Sequence, residues 1–234
     1  MDLKKIFIQQ QDFFNQGYSK SITFREIQLN KLKKTLKQNE DKILTALEAD
    51  LGKPFMEGYT SELGMLYTSI NYAIKNMHKW SKKEKKSTPF YLFFAKAYIK
   101  STPFGNTLIL SAFNYPLLLA LDPLVGAIVA GNTAMLGLPK STPTINQVII
   151  EIINTSFGQE YIYAFETDRY LNDEILSFKF NKIFYTGSSK VGKIVALKAA
   201  ENLIPITLEL GGKSPALVTK NAKINNAADS IVWG

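Results

Sequence analysis

A glutamate near the end of the chain, Glu209, interrupts the apolar segment PITLELGG. A carboxylate between Leu208 and Leu210 is expected to have a raised pKa, as a general base that activates water requires. The alternative is a buried acid whose charge is satisfied by a neighbouring lysine. These residues alone leave both interpretations open.

A side-chain amide occupies a comparable place in SAFNYP, where Asn114 follows another apolar segment. If that segment is a strand, Asn114 lies where an open parallel sheet places its ligand crevice. An amide there can donate to a developing oxyanion. The alternative is an ordinary turn, with Pro116 starting the next helix. Taken alone, this segment favours the turn.

The segment KIFYTGSSKVGKIV predicts a strand that ends at Thr186, a turn at Gly187, and a helix capped by Ser188 or Ser189. The free N–H groups of that first helical turn suit a phosphate. The spacing to the next glycine, Gly192, does not match the G-x-G-x-x-G fingerprint. Without further context, a plain structural turn is the favoured interpretation.

Other reactive residues are scarce in this sequence. It contains no cysteine, which excludes disulfides, thiolate metal sites and a cysteine nucleophile within these 234 residues. The one histidine, His78, lies in the polar run of a predicted helix, without metal-ligand spacing around it. We expect a surface residue there and no metal site.

Composition predicts a soluble globular protein, since 46% of residues are hydrophobic and 21% charged. The net charge of +8 is concentrated in lysines at 31–37 and 79–86, which lack aromatic interleaving of the kind that stacks bases, and this favours solvated faces over nucleic-acid binding. The longest apolar stretch, 117–130, is interrupted by Asp122 and Pro123, so no membrane span is expected. Because the N-terminus does not match a secretory signal, we expect a cytoplasmic protein.

Hydrophobic periodicity predicts an α/β fold with an N-terminal helical layer over residues 1–86. Residues 24–51 form one long helix or two shorter ones. An extended β arm follows over 87–104, in STPFYLFFAKAYIKSTPFG, and such an apolar arm requires a partner strand. From residue 107, strand and helix candidates alternate, as in an open parallel sheet. The segment 214–218 predicts a further strand, followed by a helix.

Three of these segments together, PFGNTLILSAFNYPLLLALDPLVGAIVAGNTAML, FNKIFYTGSSKVGKIV and PITLELGGKSPALV, resemble the aldehyde dehydrogenase superfamily, most closely its class 3 branch. The resemblance runs from about Leu29 to Gly234. It implies a Rossmann-like sheet of the aldehyde dehydrogenase type. It also implies a dinucleotide-binding domain over 1–211 and the start of a catalytic domain over 212–234.

The resemblance implies roles for the residues singled out above. Asn114 would donate the side-chain hydrogen bond of the oxyanion hole, and Glu209 would be the general base that activates water. Gly211 and Gly212 would give the backbone room beside the nicotinamide. The residues implied to contact the dinucleotide are Phe113, Thr186, Gly187, Ser188, Val191, Gly192, Leu210 and Gly211, with Phe113 standing where many members have tryptophan.

The sequence departs from the family after GNTAML. Where the family usually has Lys-Pro-Ser-Glu to hold the adenosine ribose, this chain has Gly137, Leu138, Pro139 and Lys140. Loss of the lysine is expected to weaken ribose binding, and replacement of the glutamate removes a charge that repels a 2′-phosphate. The sequence therefore predicts weak binding of NAD or NADP, with less bias against NADP.

A second departure concerns the nucleophile, which in the family follows the Leu-Glu-Leu-Gly-Gly motif by a few dozen residues. This chain ends at Gly234, so we expect an N-terminal portion that is inactive alone towards the family's aldehyde substrates. The alternative is a residual nucleotide-binding or inert remnant that associates with an intact homologue. The arm at 87–104 would mediate homo-oligomers. Several apolar residues would normally belong with the rest of the catalytic domain, namely Leu217, Val218, Ile231, Val232 and Trp233.

Overall fold

A five-stranded sheet forms the centre of the computed structural model, which describes residues 2–168 and 173–233. Its α-helices include α1 (Leu3–Gln16), α2 (Ile22–Gln38), α3 (Glu40–Leu51), α4 (Phe55–Gly58), α5 (Gly64–Trp80), α6 (Pro116–Ala130), α7 (Pro143–Ser156), α8 (Ser189–Glu201) and α9 (Ile224–Trp233). The strands are β1 (Glu84–Lys86), β2 (Ala97–Ile99), β3 (Asn106–Leu110), β4 (Thr133–Pro139), β5 (Ile162–Thr167), β6 (Lys182–Gly187) and β7 (Ile206–Leu210).

The large sheet has the order β5-β4-β3-β6-β7, and every pairing in it is parallel. In register, Thr107 of β3 lies opposite Ala134 of β4 on one side and Lys182 of β6 on the other. The first strand, β3, is therefore the central one; β4 and β5 follow on one side of it, and β6 and β7 on the other. In such sheets the ligand crevice lies at the carboxyl ends of the strands where the order reverses, here between β3 and β6. This confirms the predicted α/β class.

Alternate residues of β3 enter two different hydrophobic cores, as the period of two in a strand requires. Ile109 packs with Leu136 in the core formed with α2, α3, α5, α6 and α7. Leu108 packs with Ile183 in the core formed with α1 and α8. Helices on both faces explain why all five residues of β3 are buried.

The helices of the N-terminal layer end at Trp80, short of the predicted limit at residue 86, because residues 84–86 form strand β1. The segment 24–51 is two helices rather than one. The break is at Asn39, where α2 ends and α3 begins. Periodicity did not single out α1, whose start is capped by the Asp2 carboxylate accepting from the Lys5 backbone N–H at 3.0 Å. Its Gln10 side chain donates to the Ala134 carbonyl at 3.0 Å, which ties α1 to the sheet.

The arm predicted over 87–104 is part of a hairpin, in which its strand β2 pairs antiparallel with β1, just before the predicted start of the arm. The aromatic run between them is not extended but contains a 3₁₀ turn, Phe90–Leu92, after Pro89. The chain therefore supplies the partner strand itself. Phe90 is 91% exposed and Phe94 is 89% exposed at the end of this hairpin.

The strand predicted over 214–218 is wrong, because residues 211–223 contain no strand. A strand needs a neighbour for its backbone groups, and β7 pairs only with β6 in the described part of the sheet. The helix predicted after it is α9. Leu217, Val218 and Val232 are exposed, and the side chain of Trp233 lies outside the described residues.

The segment NDEILSF, residues 172–178, is the helix candidate between the segments that form β5 and β6. Asn172 lies outside the described residues, and residues 173–175 are helical. Within the described residues, no helix combines the length and the apolar character needed to cross a bilayer.

Candidate active site

A cavity of about 1800 Å³ lies at the carboxyl ends of the parallel strands. Its walls include the segment after β3, the turn after β6 and the end of β7, which meet because β3, β6 and β7 are consecutive in the sheet. The predicted site residues that line it are Phe113, Asn114, Thr186, Gly187, Ser188, Val191, Glu209, Leu210 and Gly211, together with Gly212. The structure thus brings Asn114 and Glu209 to one cavity.

Asn114 lies in the short segment between β3 and α6, and its side chain is exposed in the cavity. Its backbone carbonyl accepts a hydrogen bond from the Lys53 ammonium at 2.8 Å. Its side-chain amide makes no hydrogen bond within the part of the chain that the structure describes. Lys53 therefore holds the backbone of Asn114, and the side-chain amide stays available to a ligand in the cavity. Pro116 starts α6, as predicted.

A buried ion pair behind this turn was missed from the sequence. Glu62 is fully buried and Lys53 is 8% exposed, and Lys53 Nζ lies 2.7 Å from Glu62 Oε1. The other carboxylate oxygen accepts the backbone N–H groups of Leu117 at 2.9 Å and Leu118 at 3.2 Å. Removing one partner of such a pair typically costs about 3–5 kcal/mol of stability. No local pattern marks these two residues, because the backbone groups that Glu62 and Lys53 bind lie 55 and 61 residues further along the chain.

The turn after β6 has the features of an anion site. Ser188 caps α8 by accepting the Val191 N–H at 3.4 Å, and the first intrahelical bond runs from Gly192 N to the Ser188 carbonyl. Ser189 and Lys190 line the cavity, and their backbone N–H groups precede that bond. They form the positive end of the helix dipole. Lys190, which sequence reasoning did not single out, adds an ammonium there.

Tyr185 and Thr186 support this turn from the end of β6. The Tyr185 hydroxyl donates to the Ser188 carbonyl at 3.4 Å, and burial raises the pKa of Tyr185, against a smaller opposing effect of the hydrogen bond to Ser188. The phenol thus stays a donor at neutral pH. The hydroxyl oxygen of Thr186 is buried and has no hydrogen-bond partner among the described residues. A buried hydroxyl without a partner at this place fits a site that a polar ligand completes.

Gly192 does not line the cavity but lies behind its wall. A Cβ added there would lie 2.7 Å from Leu210 Cδ2. The absent side chain lets α8 approach β7 closely, which fixes the strand that carries Glu209.

Glu209 is exposed, which contradicts the burial expected from its apolar neighbours in the sequence. The reason is its position on β7, the edge strand of the sheet, where Glu209 lies in register with Thr186 of β6. Among the described residues, no lysine forms an ion pair with Glu209, so the alternative of a buried acid paired with a lysine does not hold. The carboxylate instead faces the cavity beside the turn after β6.

The segment that departs from the family motif lies at the ends of β4 and β5. A Cβ at Gly137 would lie 2.7 Å from Leu110 Cδ2 and 3.2 Å from Thr167 Cγ2, so the site is closed to a lysine unless these side chains move. Lys140 bonds Asp168 with Nζ 2.8 Å from Oδ2. This hydrogen bond, with the Coulombic attraction of the same carboxylate, raises the pKa of Lys140. Asp168 therefore provides a carboxylate beside Lys140, although the glutamate of the family motif is absent.

His78 is exposed at the surface, as predicted, and its Nε2 lies 3.2 Å from Glu26 Oε2. Among residues 2–168 and 173–233, no group of three or more histidine, cysteine, aspartate or glutamate side chains is arranged to hold a metal ion.

The strand order, with a cavity at the switch point, defines an open Rossmann-like α/β protein. The model of the aldehyde dehydrogenase family matches residues 2–234, so this chain belongs to that family. The match also extends the resemblance to α1 and the start of α2. The similarity to class 3 is confirmed by 37% identity to aldehyde dehydrogenase family 3 comG of Dictyostelium discoideum, over 100% of this chain and 48% of that protein.

A second relative, the 4,4'-diaponeurosporen-aldehyde dehydrogenase of Staphylococcus aureus, is 43% identical over 99% of this chain and 50% of its own length. A substrate-bound structure of Staphylococcus aureus AldH superposes with a TM-score of 0.93, at 43% identity, over 99% of this chain and 50% of that one. Succinic semialdehyde dehydrogenase of Streptococcus pyogenes, solved with NADP+, shares the fold at 19% identity, with a TM-score of 0.81 over 97% of this chain and 50% of that one. The chain thus spans about half the length of the curated relatives it matches.

Proposed function

We propose that this chain is the dinucleotide-binding portion of an NAD(P)-dependent aldehyde dehydrogenase, and that it does not oxidise aldehydes by itself. The observation that supports this most is the convergence of Asn114, Glu209 and the Ser188 turn on one cavity. The division into a dinucleotide-binding domain over 1–211 and the start of a catalytic domain over 212–234 follows the end of the sheet at Leu210.

The cofactor, NAD or NADP, would supply the hydride acceptor for aldehyde oxidation when bound. The N–H groups of Ser189 and Lys190 would hold its pyrophosphate, and the Thr186 hydroxyl would gain the partner it lacks in the protein. Leu210 and Gly211 would lie along the dinucleotide. The bound NADP+ of the Streptococcus pyogenes enzyme supports this class of ligand.

Asn114 and Glu209 would serve the reacting carbon in the complete enzyme. The Asn114 amide would donate to the oxyanion of the tetrahedral intermediate. Glu209, exposed in the cavity, would accept a proton from the attacking water. Neither role gives turnover without a nucleophile, and the 234 residues contain no cysteine.

The proposed binding is weak, because Gly137 replaces the lysine that holds the ribose in most of the family. Titration calorimetry of the purified chain with NAD and with NADP tests this proposal. We expect measurable but weak binding of both nucleotides. Tight binding of NAD alone would contradict it.

Charge at the turn provides a sharper test. Ser188→Asp keeps a residue that caps helices well, but it places a carboxylate where the pyrophosphate would lie. We expect loss of nucleotide binding without loss of stability. The matched control is Ser21→Asp, because Ser21 caps α2 by the same kind of bond, to Phe24 N at 3.4 Å, and does not line the cavity. Equal binding by both variants would refute a pyrophosphate site at Ser188.

A second candidate function is an inert or nucleotide-binding remnant that associates with copies of itself or with an intact homologue. The exposed aromatic end of the β1–β2 hairpin favours association, since a large exposed apolar patch is typical of interaction surfaces. A sizing column separates monomers from associated chains. Elution as a single monomer peak at all concentrations would contradict association.

A further inference from the structure

The helices α6 and α7 begin in the same way, but the groups that cap their first turns differ. Both α6 and α7 have proline at the first helical position and lack a side-chain cap from the residue before it. In α7 the second and third N–H groups, of Thr144 and Ile145, donate to the Asp50 carboxylate at 3.2 and 2.8 Å. In α6 the corresponding groups donate to Glu62. A carboxylate from the helical layer therefore caps each helix.

Only the cap of α6 includes a lysine. Lys53 bonds Glu62 at 2.7 Å and the Asn114 carbonyl at 2.8 Å, and its ammonium lies 3.9 Å from the centre of the Tyr115 ring. The ammonium thus uses the acid, a carbonyl and an aromatic face, which matches its capacity for three hydrogen bonds. Asp50 caps α7 without burial of an ion pair, so capping alone does not require Lys53.

The helical layer is also distorted where it delivers Glu62. The chain forms a π-helical turn over Tyr59–Leu63, between α4 and α5. Such turns are rare in proteins, and those that do form are often at functional sites. Here the turn carries the fully buried Glu62.

We propose that the buried Lys53–Glu62 pair is a positioning device for Asn114. Lys53 fixes the carbonyl of Asn114, and Glu62 fixes the start of α6 immediately after it, so the peptide groups on both sides of the turn are held. The Asn114 amide then points into the cavity from a rigid backbone. Its use as an oxyanion donor rests on the proposed function, but the positioning itself does not.

The test uses the full 234-residue chain labelled with ¹⁵N-asparagine, without nucleotide, so that failure to bind a dinucleotide leaves the result unaffected. The side-chain NH₂ signal of Asn114 is assigned by its absence in Asn114→Asp. In Lys53→Met, which removes the contact to the Asn114 carbonyl, we expect this signal to shift and broaden. Asp50→Asn weakens the equivalent cap of α7 and is expected to leave the Asn114 signal unchanged.

A double variant separates positioning from folding. Glu62→Gln alone leaves a buried lysine without its acid and is expected to lower the melting temperature. Replacement of both partners, Lys53→Met with Glu62→Gln, removes the unpaired charge and is expected to recover most of that loss. The Asn114 signal is expected to stay shifted in the double variant. An Asn114 signal that coincides with wild type in Lys53→Met, or that returns with the melting temperature in the double variant, would overturn the proposal.

Discussion

At the residue scale, the contact between Lys140 and Asp168 changes the expectation for cofactor preference. Lys140 replaces a glutamate of the family motif, yet its ammonium is paired with a carboxylate 2.8 Å away. The hydrogen bond that Lys140 donates to Asp168 raises the pKa of Lys140, so the ammonium stays charged at neutral pH. We therefore expect the Asp168 carboxylate to repel a 2′-phosphate in place of the glutamate of the family motif.

Asp168→Asn is expected to improve binding of NADP relative to NAD by about 3- to 10-fold, because it removes one negative charge and leaves the Lys140 ammonium beside the ribose site. Calorimetric titration with both nucleotides measures the ratio. The control is Glu201→Gln, which breaks the exposed Lys198–Glu201 pair on α8 outside the cavity. An equal change in affinity for NAD and NADP in Asp168→Asn would contradict this account.

At the element scale, α6 is fixed at its C-terminal end as well as at its start. The Ser19 hydroxyl is buried and donates to the Gly131 carbonyl at 2.8 Å, and Arg25 donates to the Val129 carbonyl at 3.0 Å. These donors satisfy carbonyl groups that a helix end leaves without partners. The helix that follows Asn114 is therefore held from both ends.

Ser19→Ala is expected to lower the free energy of unfolding by about 1–2 kcal/mol, because it leaves a buried carbonyl without its donor. Urea denaturation measures the change. Ser61→Ala is the matched control, since the Ser61 hydroxyl also donates to a backbone carbonyl, that of Glu57, but in solvent. We expect its effect to stay within about 0.5 kcal/mol. Equal losses of unfolding free energy in both variants would show that the buried hydrogen bond at the end of α6 stabilises the protein no more than an exposed one.

The hairpin of β1 and β2 is a second element with a testable role. Replacing Phe90 and Phe94 by serine removes its two most exposed aromatic side chains and is expected to shift the chain towards monomer on a sizing column. The thermal midpoint is expected to stay unchanged, because both side chains are exposed in the single chain. Leu203→Ser, at a residue 90% exposed outside the hairpin, is the control. An unchanged elution volume would exclude the hairpin as the contact surface.

At the scale of the whole molecule, these 234 residues combine a formed cavity with the absence of any cysteine. We expect no formation of reduced nicotinamide when the chain is incubated with aldehyde and either cofactor, because loss of a nucleophile costs many orders of magnitude in rate. Absorbance of the reduced cofactor measures this. Turnover clearly above a buffer blank would contradict it and would require another nucleophile in the cavity.

The sequence by itself determined the kinds of elements and the residues that end them. Helical periodicity and strand alternation are local patterns, and they predicted α6, α7, α8 and the strands of the parallel sheet closely. The motif around Thr186 predicted the capped turn, and the three motifs together predicted the family.

Only the tertiary structure decided which segments became neighbours and which side chains were buried. The exposure of Glu209 follows from the edge position of β7, which no local pattern encodes. The pairing of β1 with β2 replaced an extended arm by a hairpin. Lys53 and Glu62 are two polar residues of a helical layer until folding places α6 against them. Burial and pairing depend on contacts between distant segments, and for that reason sequence patterns predicted the parts of this site better than their environment.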